Sequence, residues 1–356
     1  MTVGDALNRL SDTDRGVRER AGKAVGSVFE GNVRLFALIT NTLAKDKSIS
    51  DGLRHYARPT SSRNLSNMVE DGVVDALVSA VRTDYPRLSH RYYALKAKWM
   101  GLDKLEHWDR NAPLPGCEDR QIPWTEAKSI VQKAYDGFDP RMGKVINTFL
   151  TSPWIDVPPA PGKSPGAFAH PTVPSAHPYI LLNYHGRIRD VMTLAHELGH
   201  GVHQVLAAKQ GYLMSDTPLT LAETASVFGE MLTFQSLLDG EKDPARRRLL
   251  LAGKVEDMLN TVVRQIAFYE FETRVHDERK KGELLPERIG EIWRAVQTES
   301  LGPAFNFTPD YDVFWAYIPH FIHSPFYVYA YAFGDCLVNA LYKVFSEGAP
   351  GFQDKY

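Results

Sequence analysis

The stretch Val191-Met192-Thr193-Leu194-Ala195-His196-Glu197-Leu198-Gly199-His200-Gly201-Val202-His203 constrains this chain more than any other. It contains His-Glu-x-x-His. Residues four apart share one helix face, so both imidazoles can grip one metal ion while Glu197 between them reaches a water on that ion. At about 100° per residue, His196, His200 and His203 fall within an arc of about 60°. Val191, Leu194, Leu198, Val202 and Val205 occupy the opposite side. One face is polar and the other is built for a core. Gly199 and Gly201 lie inside this predicted helix, where each costs roughly 0.5–1 kcal/mol relative to alanine; that cost signals close approach by another backbone or a ligand. The competing reading is a plain core helix, and a third ligand separates the two.

The extended form His-x-x-Gly-x-x-His is absent, because His203 and Leu206 stand where glycine and histidine would be needed. Downstream, Thr217-Pro218-Leu219-Thr220-Leu221-Ala222-Glu223 opens a predicted helix with Thr217 as N-cap and Pro218 at the first position. Glu223 falls in its second turn. The remainder of this helix is so apolar that it must be buried almost all round, and a buried carboxylate needs a partner such as a metal. Thr220 and Glu223 also fit a capping box, which would make the carboxylate a helix-start device; a helix that already begins at Pro218 argues for the ligand. Seven residues on, Glu230 returns to the same face and could accept the second N–H of a ligating histidine. His203 is a similar candidate, or a satisfied structural histidine.

Around this centre the chain is ordinary for a globular protein: 356 residues, 44% hydrophobic, 24% charged, formal net charge −2. Charge gives no reason to expect a nucleic-acid or membrane partner. Two widely separated cysteines, Cys117 and Cys336, no signal-peptide pattern and no long apolar run point to a cytoplasmic setting. Residues 1–110 read as a helical N-terminal portion. Its first long helix is expected from the cap cluster Ser11-Asp12-Thr13-Asp14 to about Lys45, with others near 65–84 and 87–101. Residues 111–356 read as one continuous catalytic portion. Prolines break the chain between Trp108 and Pro123, helices resume near 124–136 and 139–151, and strands are expected around Ala167-Phe168-Ala169 and over 179–184. That hairpin-like pair directly precedes the His-Glu-x-x-His helix. Extended peptides often pair with an edge strand, which offers Tyr179, Leu181 and Asn183 as substrate-binding candidates; a plain scaffold strand is the alternative. The segments near 243–279 and 285–300 read as scaffold.

The motifs Thr-Leu-Ala-His-Glu-Leu-Gly-His-Gly-Val-His (193–203) and Ala-Glu-Thr-Ala-Ser-Val-Phe-Gly-Glu-Met-Leu (222–232) closely resemble those of the oligoendopeptidase F family, relatives of thimet oligopeptidase. Further matches are the stretches 162–168, 178–184 and Pro325-Phe326-Tyr327-Val328-Tyr329-Ala330-Tyr331, in the same order along the chain. The resemblance implies a mainly α, multi-helix zincin-type metallopeptidase with a small sheet before the zinc helix. It implies one zinc ion on His196, His200 and Glu223, Glu197 as general base, and short peptides as substrates. Peptide hydrolysis passes through an oxyanion that a neutral hydrogen-bond donor stabilises. The resemblance assigns that work to a histidine and a tyrosine of the C-terminal segment. His320 matches best, and Tyr329 is the first choice of tyrosine. Tyr327 and Tyr331 compete for the role and otherwise contact substrate. The three tyrosines also fit a packed aromatic stripe.

Two features temper the resemblance. The resemblance implies a further helical region ahead of the matched part and a short C-terminal tail, neither of which this sequence matches. A truncated homologue that binds zinc and peptides without cleaving them, or an exopeptidase using the same chemistry, are therefore the alternatives to an endopeptidase.

Overall fold

The structure, a computed structural model, describes residues 3–116, 121–164 and 166–356. Cys117 and Pro165, both singled out in the sequence, lie outside the described residues. Helices dominate. In chain order they are α1 (Val3–Asn8), α2 (Arg15–Glu30), α3 (Val33–Leu53), α4 (Ser61–Ser66), α5 (Asp71–Asp84), α6 (Arg91–Trp99), α7 (Trp124–Phe138) and α8 (Pro140–Thr151). There follow α9 (Ile188–Ala207), α10 (Leu219–Gly240), α11 (Pro244–Thr261), α12 (Val263–Arg279), α13 (Pro286–Leu301), α14 (His320–His323), α15 (Tyr329–Ser346) and α16 (Phe352–Lys355).

The helix starts follow local chemistry. Asp14 accepts the Gly16 N–H at the head of α2, and Asp139 accepts the Arg141 N–H at the head of α8, where Pro140 needs no partner for its missing N–H. The single helix expected from residue 14 to about 45 is two helices, because Gly31-Asn32 interrupts it. α10 begins one residue later than expected: Pro218 stands at the N-cap position without a side-chain cap, and Thr217 instead donates its N–H to Asp216.

The chain forms two compact units, Met1–Cys117 with Val255–Ala332 and Glu118–Lys254 with Phe333–Tyr356. The expected division into 1–110 and 111–356 therefore does not hold. The apolar faces of α12 and α13 pack against those of the N-terminal helices, as in the shared cluster of Val25, Val74, Tyr93, Ile266, Trp293 and Phe326, and hydrophobic burial takes no account of sequence distance. The second unit has two clusters. One joins Val131, Ile146 and Phe149 to Val191, Leu194, Leu198 and Val202 of α9; the other gathers Phe138, Phe228, Val338 and Phe352.

A three-stranded sheet lies in the second unit. Among strands numbered in chain order, with β1 at Leu105–Glu106, it comprises β2 (Ile155–Asp156), β3 (Phe168–His170) and β4 (Tyr179–Leu181) in the order β2-β4-β3. β3 and β4 form the expected antiparallel pair, with Ala169 opposite Ile180. β2, unforeseen because it is two residues long, runs parallel to β4 on its other side. β4 is thus the central strand and has no free edge. The edge-strand expectation for 179–184 is overturned, since both rows of its backbone groups are already paired.

Candidate metal centre

Asp190 sets the start of α9 by accepting the N–H groups of Arg187 and His185. Val191, Leu194, Ala195 and Leu198 are fully buried, so the apolar face fixes how the helix rolls and turns the histidines to the other side. The glycines have the predicted reason. A Cβ on Gly199 would lie 2.5 Å from the Ala225 carbonyl and 2.7 Å from Ser226 Cα, so the backbone of α10 crosses α9 at this point. A Cβ on Gly201 would strike the Phe149 ring. This close crossing brings Glu223, one turn ahead of Ser226, level with both histidines.

Three donor atoms converge. His196 Nε2 lies 3.2 Å from His200 Nε2 and 3.4 Å from Glu223 Oε2, and His200 Nε2 lies 3.9 Å from the same oxygen. Ligands bound at about 2.0–2.1 Å in a tetrahedral shell lie about 3.4 Å from one another. The triangle therefore has the dimensions of three corners of a zinc tetrahedron. Among the described residues, His196, His200 and Glu223 form the one group of three or more histidine, cysteine or acidic side chains arranged to hold a metal ion. Glu223 is not in a capping box: Ser226 Oγ donates to its Oε2 at 3.1 Å, and Gly334 gives its side chain room, since a Cβ there would lie 2.7 Å from Glu223 Cβ.

The surroundings orient the donors. Glu230 Oε1 lies 2.6 Å from His196 Nδ1, which fixes the ring with Nε2 facing the other two donors. Lys254 Nζ, itself largely buried, lies 3.7 Å from the second oxygen of Glu230. Burial, with the charges of His196 and His203, drives the His200 pKa down to about 3, leaving the ring neutral as a ligand must be. At His196 burial acts downward too, but the Glu230 hydrogen bond and the charges of Glu230, Glu223 and Glu197 outweigh it and lift the value to about 9. Three carboxylates around two imidazoles make an excess of negative charge that a divalent cation would neutralise. Glu197, 6% exposed, is raised to about 7 chiefly by burial; a backbone hydrogen bond from Ala169 of β3 acts in the opposite sense. His203 sits about five-sixths of a turn beyond His200, its pKa lowered by burial alone.

The remaining candidates divide. Tyr179 is half exposed and stands beside His177, which stacks on Trp154 at 4.0 Å. Leu181 is partly buried. Asn183 braces a loop instead, donating its amide to the Ser164 and Gly166 carbonyls at 2.9 Å each. His320, Tyr327, Tyr329 and Tyr331 belong to the first unit. Tyr329 is 0% exposed, and its hydroxyl accepts a 2.8 Å hydrogen bond from Asn67. A phenol so enclosed cannot meet a substrate, which corrects the first choice among the tyrosines. Tyr331 is the partner of His320, its hydroxyl 3.4 Å from Nε2, and the Tyr327 ring packs against both. A cavity of about 710 Å³ also lies in the first unit, but its walls pair internally through Arg58–Asp75 and Arg82–Glu270 and hold none of these donors.

A mainly helical fold with a His-Glu-x-x-His helix crossed by a glutamate-bearing helix defines a zincin-like class. The sequence model of Peptidase family M3 matches residues 9–354, and the chain belongs to that family. Oligopeptidase PepF of Bacillus subtilis is 29% identical over the full chain, and an oligoendopeptidase F homolog of Lactococcus lactis is 30% identical, also over the full chain. The chain spans only 53% and 59% of these relatives' lengths. The crystal structure of oligoendopeptidase-F from Enterococcus faecium is similar over all of this chain and 57% of its own, with 26% identity and a TM-score of 0.77. That of a putative peptidase from Chlamydophila abortus shares the fold over 60% of its length, with a TM-score of 0.87.

Proposed function

We propose that this protein is a zinc-dependent endopeptidase that cuts internal bonds of short oligopeptides in a cytoplasmic setting. The observation that carries the reading is the donor triangle of His196, His200 and Glu223 at 3.2–3.9 Å, with the Glu197 carboxylate on the same helix. These three residues would hold the zinc, which when bound supplies Lewis-acid polarisation of the scissile carbonyl and acidifies the attacking water. Glu197 accepts the proton of that water and returns it to the leaving amine, a task suited to a carboxyl lifted toward neutrality. Glu230 keeps His196 in the tautomer that presents Nε2. His320, kept below the ordinary histidine range by burial and the charge of Arg264, acts with Tyr331 as a neutral donor to the developing oxyanion.

Support for the substrate class comes from relatives named as oligopeptidases and oligoendopeptidases. The chain's shorter span keeps a second reading in play, a protein that binds zinc and peptides without cleaving them. The test is incubation of the zinc-loaded chain with a mixed peptide pool and analysis of products by mass spectrometry, before and after chelation. Internal cuts that vanish on chelation are expected. Glu197→Gln should keep stoichiometric zinc and lose roughly 10²–10⁴-fold in turnover. No cuts, or stepwise trimming from one end, would overturn the endopeptidase assignment.

A further inference from the structure

The segment that joins His320 to Tyr331 contains a turn that its own sequence does not favour. Tyr327 donates its N–H to the Ser324 carbonyl at 3.0 Å, closing a four-residue turn with Pro325 second and Phe326 third. Phe326 has φ +59°, the left-handed conformation that a type II turn demands at its third position. Glycine is the usual occupant, and a bulky aromatic adopts this conformation rarely. Something outside the turn must hold it.

Three side chains do. Glu272 of α12 accepts the Phe326 N–H on Oε1 at 2.8 Å, Arg63 of α4 donates Nε to the Pro325 carbonyl at 3.2 Å, and Asn67 fixes the Tyr329 hydroxyl. Glu272 is the least expected of them. It is 2% exposed, and its Oε2 is buried without a hydrogen-bond partner among the described residues. A carboxylate in that position gains one backbone hydrogen bond and forgoes its hydration, an arrangement that helical packing alone does not require. Burial pushes its pKa up to about 8, against the Phe326 N–H and the charges of Arg63 and Lys47, so the side chain is largely uncharged near neutrality and acts as a hydrogen-bond acceptor. The Phe326 ring, fully buried against Tyr269 and His276, completes the clamp.

We infer that Glu272 is a positioning residue for peptide hydrolysis: by holding Phe326 in its left-handed turn it sets the mutual placement of His320, before the turn, and Tyr331, after it. The inference rests on the proposed role of the His320–Tyr331 pair. Glu272 touches neither residue and acts through the backbone between them. Glutamine reproduces the acceptor, whereas alanine removes it and leaves the Phe326 N–H buried without a partner.

The test uses the zinc-loaded full chain with Glu272→Gln and Glu272→Ala, each at matched zinc content and well below its melting temperature. Two readouts are taken. The first is the kcat and KM of a fluorogenic peptide. The second, independent of activity, is hydrogen exchange at the Phe326 amide together with the His320 ring resonance of histidine-labelled protein. The glutamine variant should stay within about threefold of wild-type kcat with the amide protected. The alanine variant should lose at least tenfold in kcat with KM little changed, a deprotected Phe326 amide and a shifted His320 resonance. Wild-type kcat in Glu272→Ala, or an amide still protected and an unmoved His320 resonance, would overturn the inference. If wild-type protein cuts no peptide, the proposed function fails, while exchange and resonance still decide whether Glu272 places the pair.

Discussion

The donor triangle on α9 and α10 and the His320–Tyr331 segment are built by opposite means. The first is rigid because two long helices cross at a glycine, and each donor's place follows from helical periodicity and one tight backbone contact. The second hangs on a four-residue turn whose third residue is sterically unsuited to it and is held from outside by Glu272, Arg63 and Asn67. A site encoded by spacing tolerates little change in its backbone. A site encoded by clamps can lose its geometry through residues that touch no substrate.

The largest expected effect tests the first half of this contrast. Gly199→Ala forces a Cβ to within 2.5 Å of the Ala225 carbonyl, and a backbone neighbour cannot step aside as a flexible side chain can. Overpacking of this kind costs about 1–3 kcal/mol or more. Because the two helices must separate for relief, zinc affinity should fall along with the melting temperature. Titration with a competing chelator measures the first, and calorimetry the second. A variant that binds zinc as wild type does would show that the crossing is not what aligns Glu223 with the histidines.

A smaller pair of effects probes the second region. Tyr331→Phe removes the hydroxyl beside His320 and should lower kcat by roughly 10²-fold, as loss of one oxyanion donor does, with the melting temperature preserved. Tyr329→Phe removes the acceptor for the Asn67 amide instead, which should cost about 1–3 kcal/mol of stability while lowering kcat far less than Tyr331→Phe does, because Glu272 and Arg63 still hold the turn. Steady-state kinetics and melting curves of the two variants must move in opposite columns; the reverse outcome would return the donor role to Tyr329.

This division also explains what could be read from the sequence. His196, His200, Glu197, Glu223 and Glu230 were legible because a helix converts spacing into direction, and the glycines inside α9 announced the crossing. Which tyrosine hydroxyl stands beside His320 was not. Tyr327, Tyr329 and Tyr331 alternate through a turn entering a helix, where neither a period of two nor one of 3.6 assigns faces, and Asn67, which takes Tyr329 out of contention, lies 262 residues away in the chain. Peptide pairing at 179–184 failed for a related reason, since β2 is too short to leave a pattern yet occupies the edge that β4 would need. The two-unit division was hidden because α12 and α13 return to the N-terminal helices, and amphipathic periodicity tells that a face is buried but not against what.

The smallest effect separates a clamp from a charge. Burial lifts the Glu272 carboxyl to about 8 from the ordinary 4.5. Between those values the folded protein keeps a proton that the unfolded chain has released, so the contribution of this residue to stability falls as pH rises through that window, and is greatest below about 4.5. The slope is bounded at about 1.4 kcal/mol per pH unit for one proton. Glutamine carries no such proton, so the difference in unfolding free energy between Glu272→Gln and wild type should grow in favour of the variant from about pH 5 toward about pH 8, and flatten beyond, in denaturant titrations at fixed zinc. Parallel curves would mean that Glu272 is charged throughout, in which case its grip on Phe326 is that of a buried carboxylate and the glutamine variant should loosen the turn as the alanine variant does.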